Sequence, residues 1–445
     1  MAPAARRRRP NAGENGPGWP RGWAPRSVVA ISWLLGSLSC THDVGLLSAP
    51  DASAAGDHTT DIDQRTGDGS DRSGSGGNAG AGGGGGGTAI NSVCTGGPVR
   101  FPGANGICSA TLAARSHRFA LCSCSDWTVS APFSTDLLFP TNGGPPGPGP
   151  AAVGVNGKIT ATAGLLLQGS LYASGSGGIT DSAGLNVGRT LHSGGPVLLS
   201  QPATGSVMGD AFISGDVMGP LHVGGALHLP PTATMGLATT AAATVREAVN
   251  VAAPCDCTVP FDIGGVISML STTNDNASIG LNPSRLVTPG SAVSLDIPCG
   301  AFFLDSINSL SPINLAVHGR AVLAIGGDVL LSGGMTIIMD QGAELDLLIF
   351  GGITSYGMAP VGAWQASSLR IWMAGSSPLT FYGHPTIGGM FEAPLATVSA
   401  PSGMEVDGSI VAASLNLGDD VVVHFDQNVF TSGVACGDPQ LDPVP

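Results

Sequence analysis

Aliphatic residues recur at intervals of six in two stretches of this chain. The interval is clean at Val217, Val223 and Leu229, and again at Val317, Leu323, Val329 and Met335. Within the short apolar segments residues alternate, as at Leu345 and Leu347, which is strand period and not helix period. Short strands that repeat at such a step are typical of a parallel β-solenoid, whose turns stack on one another. The spacing therefore predicts an all-β fold, a single-stranded parallel β-helix.

Glycine supports the same fold. The chain contains 69 glycines in 445 residues, and many of them separate the apolar segments. Glycine reaches positive φ without strain, so it suits the tight corners between the strands of a solenoid. The alternative is an antiparallel sandwich, whose strands recur at about 8–12 residues and are joined by hairpin signals. The six-residue interval favours the solenoid.

The composition changes along the chain and divides it into segments. We predict, in order, a lipoprotein-type signal peptide (1–40), a Gly/Ser/Asp-rich tether (41–88), a Cys-containing N-terminal cap (89–150), a first part of the solenoid (151–231), a Cys-pinned mid-chain insertion (232–312), a second part of the solenoid (313–436) and a flexible tail (437–445). The cap is expected to cover the open first turn, because an exposed strand edge promotes aggregation. Alanines within the insertion predict a short helix over residues 239–249.

The first forty residues resemble an export signal. An arginine-rich start precedes an apolar stretch of about 12 residues, which is too short to cross a bilayer core of about 30 Å. Ser39 before Cys40 resembles the end of a bacterial lipobox, although Ser37 stands where leucine is expected. We predict export, lipidation of Cys40, and attachment to a membrane through that lipid. The alternative is cleavage nearby that leaves Cys40 unmodified.

The residues after Cys40 are consistent with an anchored surface protein. Residues 41–88 carry no periodic apolar pattern and end near a glycine run, so they cannot bury enough surface to offset their ordering entropy. We predict a flexible tether. Thr41 stands where an acidic residue would retain a lipoprotein at the inner membrane, so the outer membrane or cell surface is the predicted location.

The charge balance excludes one class of partner. From Cys40 onward the chain has 11 basic and 30 acidic residues, a formal net charge of −19. Such a surface repels the phosphate backbone, and binding to nucleic acid requires the opposite sign. We therefore expect no nucleic-acid partner.

Eight cysteines follow Cys40. They are Cys94, Cys108, Cys122, Cys124, Cys255, Cys257, Cys299 and Cys436. An even number in an exported chain predicts disulfides, and their connectivity stays open. The two Cys-x-Cys pairs suggest zinc as an alternative, but zinc motifs space their cysteines more widely and no histidine stands at ligand spacing nearby. Residues two apart in a strand face the same side, so each pair is placed to bridge to a second segment and not to itself. We predict disulfides, no metal site and no cofactor.

Two stretches resemble known solenoid families. Residues 151–230 are similar to the glycine-punctuated turns of bactofilins, which are cytoplasmic scaffolds, so this resemblance implies a fold and not a cytoskeletal role. The second half resembles the β-solenoid domain of pilus-assembly-associated surface proteins. The residues that carry it are 343–352 (AELDLLIFGG), 369–372 (LRIW), 391–398 (FEAPLATV) and 406–412 (VDGSIVA). Glu392 stands where that family usually has tyrosine.

The order of segments is similar to that of lipoproteins from myxobacteria and their relatives. The shared features are a lipobox, a Gly-rich tether, Cys-Ser-Cys, Pro-Cys-x-Cys and a final Val-His-Phe-Asp. The resemblance covers about residues 89–436 and implies a fold and a location. It implies no catalytic residues.

One catalytic resemblance remains, to β-helical hydrolases that cleave acidic polysaccharides with paired aspartates. Asp419 and Asp420 follow a glycine as in their Gly-Asp-Asp motif, and His318 resembles part of their Gly-His-Gly motif. The order of the motifs is reversed here, and the lysine that should follow Arg370-Ile371 is a tryptophan. We therefore interpret the aspartates as a turn, and a glycoside hydrolase or lyase using Asp419, Asp420 and His318 is the alternative.

Other polar residues are given structural interpretations. Arg370 is expected to pair with a carboxylate such as Asp346 or Glu344. His424 and Asp426 are expected to form an isolated surface pair. The predicted function is structural or adhesive work at the cell surface, with a surface polysaccharide or protein as the further partner and no catalysis.

Overall fold

The computed structural model of the chain describes residues 99–102, 107–138 and 151–432. Within these residues parallel strands stack into a β-solenoid of about 14 turns. The predicted fold class, an all-β parallel β-helix, is confirmed. The predicted signal peptide, tether and C-terminal tail lie outside the described residues. Among those described, no helix has the length and apolarity needed to cross a membrane.

Helix α1 (Ser109–Ser116) precedes the first half of the solenoid. The strands of this half are β1 (Leu121–Ser123), β2 (Trp127–Val129), β3 (Phe133–Leu137), β4 (Val153–Val155), β5 (Ile159–Ala161), β6 (Leu165–Leu167), β7 (Leu171–Ala173), β8 (Ile179–Asp181), β9 (Leu185–Val187), β10 (Leu191–Ser193), β11 (Val197–Leu199), β12 (Gly205–Val207), β13 (Ala211–Ile213), β14 (Val217–Met218), β15 (Leu221–Leu229) and β16 (Thr240–Arg246).

Helix α2 (Ile263–Thr272) and a 3₁₀ turn (Asn276–Ile279) lead into the second half. Its strands are β17 (Val293–Ile297), β18 (Gly300–Leu304), β19 (Ile307–Ser309), β20 (Ile313–Val317), β21 (Arg320–Ile325), β22 (Val329–Leu331), β23 (Met335–Met339), β24 (Glu344–Ile349), β25 (Ile353–Ser355), β26 (Val361–Ala363), β27 (Leu369–Met373), β28 (Leu379–Phe381), β29 (Thr386–Ala400), β30 (Met404–Leu417) and β31 (Val421–Phe425). A 3₁₀ turn (Ala366–Ser368) precedes β27, and a short helix α3 (Val429–Ser432) follows β31.

The strands stack in three rows, which we call faces A, B and C. Face A contains β3, β6, β9, β12, β17, β20, β23, β26 and β31; face B contains β1, β4, β7, β10, β13, β18, β21, β24 and β27; face C contains β2, β5, β8, β11, β14, β19, β22, β25 and β28. The long strands β15, β29 and β30 bend through more than one face.

The pattern of buried side chains along a strand depends on whether helices pack against the outer side of its face. In β6, Leu165 and Leu167 point into the core, while Leu166 between them is 60% exposed. On face B of the second half, β24 and β27 are buried on both sides, because α1 and α2 pack against this face. Strands covered on both sides carry near-continuous apolar runs, which explains the buried run 347–349 within β24.

The two halves join in the middle of the solenoid. Strand β1 pairs with β4 on one side and with β30, from the far end of the chain, on the other. Strand β3 pairs with β31 in the same way. Residues 121–137 therefore lie within the solenoid, whereas the sequence suggested a cap over an open first turn. Because both neighbours satisfy its backbone groups, β1 has no free edge.

A long connection must run between the outer ends of the two halves. The first half ends at β16 and the second begins at β17, and each lies at the end of the solenoid away from the junction. We call residues 247–292, which connect them, the strap. Strands β17 to β19, within the predicted insertion 232–312, pair with β20 to β22 as part of the solenoid.

The helix predicted over residues 239–249 is wrong. Thr240–Arg246 form strand β16, which pairs with β15 from His222 to Leu229. The open edge of β15 offers backbone hydrogen bonds that outweigh the helix preference of three alanines, a preference of under about 1 kcal/mol per residue.

Candidate functional site

The strap is fastened to the junction by two disulfides, Cys122–Cys255 and Cys124–Cys257. The prediction that each Cys-x-Cys pair bridges to a second segment is confirmed. Cys108 and Cys299 are also disulfide-bonded. Cys40, Cys94 and Cys436 lie outside the described residues.

Gly154 in β4 leaves space for the strap, and Asn156, just after β4, forms hydrogen bonds with it. Gly154 faces Cys122 in the neighbouring strand, and a Cβ atom there would lie 3.1 Å from the sulfurs of both Cys122 and Cys255. The Asn156 side chain donates to the carbonyl of Cys255 at 3.0 Å and accepts from its N–H at 2.9 Å. The strap backbone at Cys255 is thus hydrogen-bonded as well as disulfide-linked.

A buried ionic cluster lies under α1 on face B. Asp346 accepts hydrogen bonds from Arg370 Nε at 2.8 Å, from Trp372 Nε1 at 2.9 Å and from the Ser109 hydroxyl at 2.9 Å. Arg370 Nη2 also donates to Glu344 at 2.8 Å. Burial alone would lower the pKa of Arg370, but attraction to the two carboxylates outweighs it and raises that pKa. The predicted pairing is present with both acids.

A second buried polar group lies where α1 ends. His117 Nδ1 lies 3.0 Å from the Ser409 hydroxyl, and His117 Nε2 lies 3.6 Å from Glu392 Oε2. The Ser409 hydroxyl donates to the carbonyl of Phe119 at 2.6 Å, so it is committed to the backbone. All three side chains are fully buried, which gives this Ser-His-Glu set no access for a substrate.

Burial controls the protonation of this group. It raises the pKa of Glu392 well above its ordinary value and lowers the pKa of His117 to about 3. His117 is therefore uncharged at neutral pH, and burial favours the protonated, uncharged form of the Glu392 carboxyl group.

Replacing Glu392 by glutamine should be tolerated and should become favourable as pH rises. A group whose pKa is raised on folding stabilises the protein below its unfolded pKa, and that stability is lost as pH rises through the folded value. Glutamine cannot ionise, so the E392Q variant avoids this loss, while His117 affects both proteins alike. Melting temperatures from pH 5 to 9 should show a gap in favour of E392Q that widens with pH. A variant less stable than the parent throughout would instead indicate a Glu392–His117 ion pair.

A cluster of polar side chains lies on the outside of face A at the junction. We call Asp136, Glu405, Asp407 and His424 the junction cluster. Asp136 and Asp407 flank His424 in register on neighbouring strands, β3 and β30. His424 Nδ1 is hydrogen-bonded to Asp136, and its Nε2 lies 3.1 Å from Glu405 Oε1.

The electrostatics of the junction cluster follow from these contacts. The hydrogen bond to Asp136 raises the pKa of His424 to about 8. Burial raises the pKa of Asp407, whose residue is only 8% exposed. The predicted isolated pair of His424 and Asp426 is wrong, because Asp426 accepts from the backbone of Ser367 and from Asn428 instead.

The residues of the catalytic alternative do not come together. Asp419 and Asp420 lie on the exposed turn before β31. His318 follows β20, five strand steps away on face A, or roughly 24 Å at about 4.8 Å per step. There His318 contacts Asp340 at 2.9 Å and Asp296 at 3.6 Å, beside an open groove of about 710 Å³.

Comparison with known proteins relates part of the chain to a family of unknown function. A family model described as a domain of unknown function, DUF7305, matches residues 260–431. Neither the curated proteins nor the solved structures yield a match to this chain. The matched region begins just before α2 of the strap and ends within α3, so it contains Glu405, Asp407 and His424. Asp136, the remaining member of the junction cluster, comes from outside it.

Proposed function

We propose that this chain is an exported, lipid-anchored protein of the outer membrane or cell surface with a structural or adhesive role. The observation that carries the proposal is the continuous solenoid, whose halves meet at a junction to which two disulfides fasten the strap. Disulfides persist in exported proteins, and few form in a reducing cytoplasm. An elongated stack of turns presents a long lateral surface to a polysaccharide or protein partner.

The lipid anchor rests on Cys40. We expect radiolabelled fatty acid to enter the full chain, and we expect a C40A variant to lose the label and leave the membrane fraction. A matched control is C299A, because Cys299 is disulfide-bonded in the folded body and should not affect labelling. Label that persists in C40A would contradict the anchor.

The structural or adhesive role is separated from the enzyme alternative by a direct assay. The full chain is incubated with a panel of uronic-acid polysaccharides, and both binding and release of reducing ends are measured. We expect no release, because Asp419, Asp420 and His318 lie too far apart to flank one glycosidic bond. Release that is abolished by the double variant D419N/D420N would establish the hydrolase or lyase instead.

A further inference from the structure

The ring of His424 in the junction cluster is held at Nδ1 by Asp136. Its Nδ1 is hydrogen-bonded to Asp136, which leaves Nε2 directed towards Glu405 and Asp407. A histidine that binds a metal almost always donates its other ring N–H to a carboxylate or carbonyl, which fixes the ring and its tautomer. Asp136 occupies that position here.

The burial and orientation of Asp407 provide a second, independent indication of a ligand at the junction cluster. Its residue is 8% exposed, and its carboxylate makes no hydrogen bond among the described residues. A carboxylate on a residue this little exposed loses much of its hydration without gaining a hydrogen-bond donor, and such groups in folded proteins are paired or coordinate metals. The Asp407 carboxylate points into the same space as Glu405 and His424, because one ligand atom from each lies within 4.8 Å of the others.

We propose that Glu405, Asp407 and His424 Nε2 bind one divalent transition-metal cation at the junction, with Asp136 as a positioning residue. The 3.1 Å between His424 Nε2 and Glu405 Oε1 suits two ligands of one ion, since bonds of about 2.0–2.2 Å place neighbouring donors roughly 3.0–3.5 Å apart. Small rotations of the Asp407 side chain complete the set, and water fills the remaining positions.

The donor chemistry selects the kind of ion. One imidazole nitrogen with two carboxylates suits Zn²⁺ or Mn²⁺, whereas Ca²⁺ and Mg²⁺ prefer oxygen ligands alone. The cluster also has a structural consequence. Asp136 belongs to the first half of the solenoid and the three ligands belong to the second, so a bound ion would reinforce the junction between them.

A simpler arrangement competes with the proposal. A protonated His424 that bridges Asp136 and Glu405 would account for the two hydrogen bonds without any metal. It would leave Asp407 buried and without a hydrogen bond. The two arrangements differ in the effect of replacing Asp407, which makes that residue the decisive one.

The test uses the full chain, prepared without a histidine tag and stripped with EDTA. Isothermal titration with ZnCl₂ and MnCl₂ should give one site per chain, with Ca²⁺ at least tenfold weaker, and Zn²⁺ should raise the melting temperature. D407N and H424Q should each weaken Zn²⁺ binding by more than about tenfold, and D136N by about 10–100-fold through the lost orientation of His424. The matched control is D419N, which replaces an exposed carboxylate in the turn just before β31 and should bind Zn²⁺ as the parent does.

Melting temperatures measured in EDTA show whether a variant is folded without metal, so a loss of binding can be distinguished from a loss of folding. D407N removes a buried charge, so it should melt at or above the parent temperature in EDTA, and loss of binding then reflects the site itself. The proposal is overturned if no stoichiometric binding occurs, if D407N and H424Q bind Zn²⁺ as the parent does, or if Ca²⁺ binds more tightly than Zn²⁺. These outcomes do not depend on the lipid anchor or on the surface role.

Discussion

Replacing Asp346 by alanine should lower the free energy of unfolding by about 3–5 kcal/mol, among the largest effects of any single substitution in this chain. Its carboxylate is fully buried and accepts from Arg370, Trp372 and Ser109. Without it the buried guanidinium of Arg370 keeps, among the described residues, only the contact with Glu344. The cost arises because a buried charge loses its partner, and it includes the donors left unsatisfied.

A double variant distinguishes the cost of leaving Arg370 buried without Asp346 from the net contribution of the ion pair to the free energy of unfolding. D346A/R370M removes both charges, so it should be less destabilised than the sum of D346A and R370M. Denaturant melts of the four proteins give the coupling free energy. Additive costs would show that Asp346 and Arg370 do not stabilise one another, contrary to the geometry.

The pairing of Arg370 with Asp346 could be predicted from the sequence, whereas the packing of helix α1 over this pair could not. Strands β24 and β27 are neighbours in face B, so Asp346 and Arg370 lie side by side in register and their charges attract. The six-residue interval predicted the solenoid because it is a local property of the strands. Ser109 belongs to α1, which is 237 residues away from Asp346. No periodic pattern relates segments that far apart.

The junction between the two halves could not be predicted from the sequence for the same reason. The apolar interval predicts that turns stack, but it does not say which end of one half meets the other. Strand β1 pairs with β30 across a separation of 289 residues, with Leu121 opposite Ile410. The strap that makes this possible has no strand period. Asp136 and His424 come together through this junction, so no pattern in the sequence places them in one cluster.

The disulfides show that a correct local inference still leaves connectivity open. Two cysteines two residues apart on an extended segment face the same way, which predicted that they bridge to another segment. Gly154 and Asn156, which accept the strap beside them, carry no such signal in the sequence. In the sequence Gly154 resembles the many other glycines of the solenoid, and its role is visible only in the structure, where the strap packs against it.

Removing both strap disulfides should destabilise the protein far more than removing either one. Each bridge has a sequence separation of 133 residues, and closing a loop of that length restricts the unfolded chain by about 5 kcal/mol. Once one bridge is present, the second closes only the small ring formed by residues 122–124 and 255–257. For about six residues the same relation gives roughly 2 kcal/mol.

The expected pattern is therefore strongly non-additive. C122A/C255A and C124A/C257A should each lose about 2 kcal/mol, and the quadruple variant should lose roughly 7 kcal/mol. The far-UV β signal of the quadruple variant should persist at low temperature, because backbone ladders between turns remain. Denaturant melts of the three variants against the parent measure this pattern. Two single-bridge losses that add up to the quadruple loss would mean that the bridges act by local packing, and that the strap does not depend on them to stay closed over the junction.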